Sequence, residues 1–445
     1  MKKSWIVLVS LFVIVLAVAA QVAAQDATSE LSGVVRVGSW EADDALTPWN
    51  NAIAAFEAEN PGVDIQLEAV PQDYGTKLLA QFAAGTAPDI FMSGDGDIAK
   101  WQSLGQTEDL APYIAGENGF DTSVLVPGLS TFGDVAGSTY YLTKDYSPLV
   151  LYYNTDQFAE AGIELPTADW TWADFIAAAQ ALTVDANGNN ATSADFDPTT
   201  ITRWGVQIPD GWGDWLWSRG ILPIIYANGG SLIAEDGSTT TGYMNSEATI
   251  NALQEYVDIF KVQHIAPTKD DVAAYSGVDM FQSGLVSMLW TGVWPLNGYK
   301  DVEGLNFGTA GLPAGSEGKA NVLCWSGFAM NSASQNKDAA WAFLKYIATG
   351  DGAKEFANYG LTAVQSVLDE QGLSTDEFHG PVIEDLANVK TLPEATTPFW
   401  ADCGNKAFTD QMETVFVGDV AVADAMNAAA EQADTCLAEK AAEGS

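Results

Sequence analysis

An α/β fold is predicted by three observations. Near the N-terminus, apolar runs of strand length alternate with stripes at helical spacing. A second set of buried-strand runs and amphipathic helices occupies the middle of the chain. With 445 residues, 47% of them hydrophobic and 11% aromatic, the chain can bury two or three sizeable cores.

The elements follow in order. Val34 to Val37 is a short apolar run before Gly38 and reads as a buried strand. Trp49, Ile53 and Phe56 recur at helical spacing, and Asn60-Pro61-Gly62 stops that helix. Val63, Ile65, Leu67 and Ala69 alternate with polar residues, as in a half-buried strand. Tyr74, Leu78 and Phe82 mark a helix that ends at Gly85, and Asp89 to Met92 is the next strand. That alternation predicts mostly parallel pairing. Leu149 to Tyr153 and Val286 to Trp290 read as strands farther on. Thr171 is placed to cap a helix carrying Phe175, Ile176 and Ala179. Stripes at Ile250, Leu253, Val257 and Phe260, and at Ala340, Phe343, Leu344 and Ile347, mark two more helices. Phe408, Met412 and Val415, then Val422 to Ala433, predict a C-terminal helical hairpin that turns at Gly418-Asp419. Between 185 and 198 runs a polar loop. Its Asp185-x-Asn187-x-Asn189 spacing faintly echoes a calcium loop, but the glycine is misplaced and the distal Glu is missing, so it reads as a surface turn.

Residues 1–24 read as an export signal outside the fold. Lys2 and Lys3 form a positive start, an apolar run follows from Trp5 to Ala20, and Val22-Ala23-Ala24 supplies small residues for cleavage before Gln25. The run is short for a bilayer span, the alternative reading. Export permits disulfides. Of three cysteines, Cys403 and Cys436 lie at opposite ends of the predicted hairpin and are the favoured pair; three buried thiols are the alternative.

Charge excludes several functions. Eighteen Lys+Arg face 59 Asp+Glu, a net charge of −41, which repels phosphate backbones and anionic lipid. Neither His264 nor His379 has a second His or Cys at metal-ligand spacing, so His-based zinc sites and Ser-His-Asp triads are poorly supported. The chain has no nucleophile elbow, no P-loop and no G-x-G-x-x-G dinucleotide-binding pattern. No cofactor is implied.

The 15 tryptophans point instead to recognition. Trp40 follows the first strand. Trp212, Trp215 and Trp217 crowd one loop, Trp290 and Trp294 bracket a Thr-Gly-Val turn, Trp325 precedes Ser326-Gly327, and Trp400 lies between Pro398 and Asp402. Sugar rings pack their C–H faces on indoles, and their hydroxyls donate to carboxylates. Glu41 and Asp95, each in a loop after a strand, are the polar candidates. Trp49, Trp101, Trp170, Trp172, Trp204 and Trp341 are assigned to the core.

Together these segments resemble the extracellular solute-binding proteins of ABC sugar importers, the family that includes maltose-binding protein. The likeness runs from Phe56-Glu57 and Asn60 to Val63, through Ala83 to Ile90, Leu151 to Asn154 and Trp170-Thr171-Trp172. It continues in Asn228-Gly229-Gly230, Phe281 to Gly284, Trp325 to Met330 and the helix from Asp338 to Ile347. The resemblance implies a two-lobe periplasmic-binding-protein-like fold of type II, with discontinuous lobes joined by a crossover hinge. Lobe one is expected at 26–145 plus 327–370, and lobe two at 146–326 plus 371–445. It also implies capture of a neutral mono- or oligosaccharide between the lobes and delivery to a membrane permease, by a monomer located in the periplasm or outside the cell. A secreted glycoside hydrolase and a sensory binding protein are the alternatives. By position, the resemblance places ligand contacts at Trp40, Glu41, Asp95, Trp294 and Trp400, at Tyr146 and Ser147 on the first crossover and at Trp325 on the second. Trp215 and Trp217 lie in a loop whose spacing differs from that of maltose-binding protein.

Overall fold

The computed structural model describes residues 31–94, 97–126, 129, 133–135, 137–208, 215–357, 360–390, 392–418 and 420–443; the expected leader lies outside them. Among the described residues, thirteen strands form in chain order: β1 (Gly33–Ser39), β2 (Val63–Ala69), β3 (Ile90–Gly94), β4 (Asp134–Val135), β5 (Ser138–Thr139), β6 (Leu142–Pro148), β7 (Val150–Asn154), β8 (Val184–Asp185), β9 (Ile201–Gln207), β10 (Val286–Thr291), β11 (Phe307–Ala310), β12 (Leu323–Met330) and β13 (Leu361–Thr362). One sheet has the order β13-β6-β12-β3-β1-β2 and a second the order β11-β7-β10-β9-β8, with β4 and β5 as a separate ribbon.

The first sheet is parallel where the sequence alternation predicts it, with β1 between β2 and β3. It is not mostly parallel overall. β12 runs antiparallel to both β3 and β6, and β13 antiparallel to β6. The reason is connectivity: β6 leaves for the second sheet and β12 returns from it, so neither is part of a strand–helix–strand unit. The second sheet pairs β10 with β9 in parallel, and antiparallel with β7.

The helices form for local reasons. The helix Thr47–Glu59 buries Trp49, Ala52 and Phe56, and Trp49 meets Phe328 and Phe356 edge-on at 5.4 and 5.1 Å. Gly85 closes the helix Tyr74–Ala84 at φ +66°, a conformation that costs glycine little. Thr171 and Asp174 form a reciprocal capping box at the start of Trp172–Leu182. That helix packs Phe175 against Trp290 of β10. In the polar loop, Asp185 accepts backbone N–H bonds from Asn187, Asn189 and Asp197 at 2.8–3.0 Å. Burial alone would raise its pKa, but these bonds outweigh it and hold the carboxyl at about 2. Its oxygens serve a turn. At the C-terminus, Lys406–Val417 and Val422–Glu443 form the hairpin, and a disulfide joins Cys403 to Cys436 with Cα atoms 5.4 Å apart. Cys324 is buried and takes no part in it.

Only Leu149 separates β6 from β7, so the first crossing is abrupt. The expected divisions at 145/146 and 326/327 fall inside β6 and β12. The fully buried Asn321, just before β12, ties the crossings together. Its Oδ1 accepts from Leu149 N (3.0 Å) and Val322 N (2.7 Å), and its Nδ2 donates to Leu149 O (2.8 Å) and Asp385 Oδ2 (2.6 Å). Asp385, also buried, accepts from Asn388 Nδ2 at 2.8 Å. Asn321→Ala strands these partners in the interior. We expect it to lower unfolding free energy by about 3 kcal/mol in urea melts.

Candidate functional site

A cavity of about 820 Å³ opens between the two sheets. Its wall from the first sheet carries Trp40 and Glu41 just beyond β1, Tyr74, and Asp97 beyond β3. The floor is made by Lys144 to Ser147 of β6 and Cys324 to Ser326 of β12. The opposite wall carries Val293 and Trp294 beyond β10, then Trp400, Ala401 and Asn405 before the C-terminal hairpin. The loops after β1, β3 and β10 thus converge at strand ends, where open α/β sheets bind ligands.

The structure brings seven of the sequence-predicted residues to this cavity: Trp40, Glu41, Tyr146, Ser147, Trp294, Trp325 and Trp400. Asp95 lies outside the described residues, although Gly94 and Asp97 on either side of it line the wall. Trp215 and Trp217 fall at the start of the helix Trp215–Ala227 rather than in a loop, and only their backbone is described; Leu222 of that helix reaches the cavity. Trp101, expected in the core, is only 3% exposed yet also borders the cavity.

Two tryptophans are seated on glycines. A Cβ at Gly292 would overlap the Trp294 ring, and one at Gly404 would overlap the Trp400 ring. Trp294 is 42% exposed, so an indole surface is held open toward the cavity, whereas Trp400 is mostly buried. The turn under Trp294 is clamped from the hinge. Tyr152 Oη donates to Gly292 O (3.0 Å), and Ser147 Oγ accepts from Val293 N (2.8 Å) while donating to Pro148 O (2.8 Å). The Ser147 hydroxyl is therefore occupied in positioning that turn. Trp40 meets Tyr74 edge-on at 5.5 Å, and Tyr74 Oη donates to Gly38 O at 3.1 Å.

The polar floor centres on Lys144, only 5% exposed. Its ammonium lies 2.8 Å from Asp145 and 3.1 Å from Glu41, and 5.4 Å from the centre of the Phe356 ring. Burial alone would lower its pKa, but the charges of Asp145 and Glu41 outweigh burial and raise it. Lys144 stays protonated. Ser326 Oγ donates to Asp145. Burial pushes the Tyr146 phenol up to about 12, so it stays a neutral donor. Burial also raises the Asp97 carboxyl, partly offset by Lys100. No described residue donates a hydrogen bond to that carboxylate.

Asp97, Lys144, Asp145, Glu394 and Asn405 line the cavity without having been predicted. Lys144-Asp145 directly precedes Tyr146-Ser147, so the first crossover was a signal for two of them. Among the described residues around the cavity, four carboxyl groups (Glu41, Asp97, Asp145, Glu394) face one ammonium, Lys144. The arrangement offers hydrogen-bond acceptors between aromatic surfaces.

Two lobes with a ligand-sized cleft between strand ends define a solute-binding protein by class. Residues 41–354 match the family model for bacterial extracellular solute-binding proteins, and the chain belongs to that family. It is 25% identical over 422 residues to a Brucella abortus (strain 2308) protein described only as a binding protein, covering 92% of this chain and 95% of that one. Its fold is shared with an ABC substrate-binding protein from Listeria monocytogenes in complex with cycloalternan. The TM-score is 0.78 at 24% identity, covering 92% of this chain and 99% of that one. An ABC transporter solute-binding protein from Thermotoga lettingae TMO bound with α-D-tagatose matches with TM-score 0.76 at 21% identity, covering 91% and 100%. Among the described residues, no helix is long and apolar enough to cross a membrane.

The glycine seats give a direct test. In Gly292→Ala the added methyl displaces the Trp294 ring. We expect a changed tryptophan emission maximum and altered acrylamide quenching, with the far-UV circular dichroism unchanged.

Proposed function

We propose that this chain is the extracytoplasmic substrate-binding component of an ABC transporter. It captures a neutral mono- or oligosaccharide between its lobes and delivers it to a membrane permease. The observation that carries this reading is the cavity itself, which pairs indole surfaces with carboxylate acceptors at converging strand ends. A pyranose or furanose presents the same two features, C–H faces and donor hydroxyls. Family membership supports the extracellular role, and the related folds that hold cycloalternan and tagatose support a saccharide. Residues 1–24 act as the cleaved export signal. The lobes correspond to the two sheets, divided at Leu149, within 311–322 and again near 370/371, beyond which the chain returns to the second lobe. Closure onto ligand is the state that the permease reads.

The ligand contacts are Trp40, Trp294, Trp325 and Trp400 as stacking surfaces, with Glu41, Asp97 and Tyr146 as polar partners. Asp95 joins them by its place after β3, and Trp215 and Trp217 by theirs at the head of the helix behind Leu222. Each stacked indole that removes about 50 Å² of apolar surface contributes about 1.2 kcal/mol.

The test is thermal unfolding of the exported protein against neutral, acidic and phosphorylated sugars. A ligand that binds only the folded state raises the melting temperature. We expect a rise with a neutral saccharide and no product formed; a rise with anions alone would overturn the assignment of a neutral ligand. For the sugar so identified, Trp294→Ala should weaken binding about 8-fold by calorimetry, the equivalent of one lost stack.

A further inference from the structure

The segment Phe399 to Asn405 carries several constraints at once on the cavity wall. It opens on Phe399 in the left-handed region (φ +62°), which a non-glycine residue adopts only when its surroundings impose it. It continues as a single π turn, Ala401–Asn405, ahead of the regular helix Lys406–Val417. Such a turn inserts a residue and rotates its neighbours out of helical register. Successive side chains therefore serve different directions. Trp400 and Asn405 line the cavity, and the Asn405 Oδ1 is buried with no hydrogen-bond partner. Asp402 reaches to the first lobe, where Lys100 Nζ lies 3.1 Å away. Cys403, 2% exposed, is bonded to Cys436 in the last helix.

Lys100 belongs to the helix Ile98–Ser103, which follows β3 and packs in the core of the first lobe. The short helix Pro393–Thr396 of the second lobe packs against it. The Lys100–Asp402 ion pair thus joins the lobes beside the cavity mouth. With Asp402 about half exposed, such a pair is weak unless its partners are held in place beforehand.

We propose that the Cys403–Cys436 disulfide is a positioning element for closure. It holds the π turn in the register that points Trp400 into the cavity and Asp402 at Lys100. Without the bridge, the turn relaxes toward the continuous helix that follows it, and both residues rotate away together. The Trp400 part of the cleft wall and the ion pair between the lobes are then set by one covalent tie outside the cavity. The inference rests on the proposed closure of two lobes, but its test needs no ligand.

The measurement is small-angle X-ray scattering of the exported protein at low and at 1 M salt, where the screening length falls to about 3 Å. In the oxidised wild type, salt weakens the cross-lobe pair and should shift the scattering toward a more open form. Asp402→Asn should lose that salt response. The double variant Cys403→Ser/Cys436→Ser should melt cooperatively, yet match Asp402→Asn in scattering. Should the double variant not fold, the folded wild type reduced with phosphine and alkylated gives the same reading, and reoxidation of unalkylated protein should restore the response. A bridge-free protein that keeps the wild-type salt response would overturn the proposal, as would a wild type with none. Absence of any sugar-induced melting shift, with the scattering as expected, would instead count against saccharide capture alone.

Discussion

The placement of the whole cleft depends on where the chain crosses between its two sheets, and one side-chain amide ties those crossings together. An asparagine amide can accept two hydrogen bonds and donate two. Asn321 uses all four, to Leu149 on one crossing, to its own neighbour Val322 on the other, and to Asp385 on the segment leading to the C-terminal helices. An aliphatic side chain of equal volume would fill the space but orphan buried backbone groups. The amide therefore specifies geometry rather than merely adding cohesion. The strands it aligns, β6 and β12, form the cavity floor with Tyr146, Ser147 and Trp325. From the same strand, Ser147 reaches across to Val293 and so fixes the turn that carries Trp294. A displacement at the crossing would move floor and wall together.

Much of the fold was legible in the sequence because periodicity reports burial on one face of an element. Strand β2, the helix Thr47–Glu59 and the helix Glu247–Lys261 are of that kind. Strand direction was less legible. The parallel pairing of β1 with β2 and β3 follows from the intervening helices, but the antiparallel entry of β6 and β12 is a property of chain paths far apart in sequence. The aromatic side of the site was readable for a related reason: a tryptophan beside glycine just past a strand has no helical partner to bury it. Trp294 over Gly292 is the example. The polar side was readable only in part: Glu41 was placed by its position after β1, but its partner was not. Lys144 meets Glu41 across 103 positions, and nothing local to either residue reports that they share a floor. Ser147 was readable as a cleft residue by position, yet its hydroxyl is spent on Pro148 and Val293, a fact that only the three-dimensional arrangement contains.

The charge arrangement at the cleft narrows the proposed ligand further than the aromatic rings do. Lys144 is the one ammonium among the described cavity residues, and it lies between two carboxylates. Its charge is already compensated and cannot serve a bound anion. An anionic ligand would meet the remaining carboxyl groups at close range. Like charges 4 Å apart repel by about 4 kcal/mol at the effective dielectric of a protein surface, comparable to half of a micromolar binding free energy. The long-range field of a chain at −41 acts in the same direction before contact is made. A neutral ligand escapes both costs, provided that it brings donors for the acceptors it desolvates, since a buried carboxylate left unpaired is itself unfavourable. Hydroxyls on a ring edge meet that condition while leaving the ring faces for indoles. The same walls that repel phosphate therefore require a ligand rich in donors. That double requirement accounts for carboxylates and tryptophans in one cavity better than a purely apolar or a purely ionic ligand does.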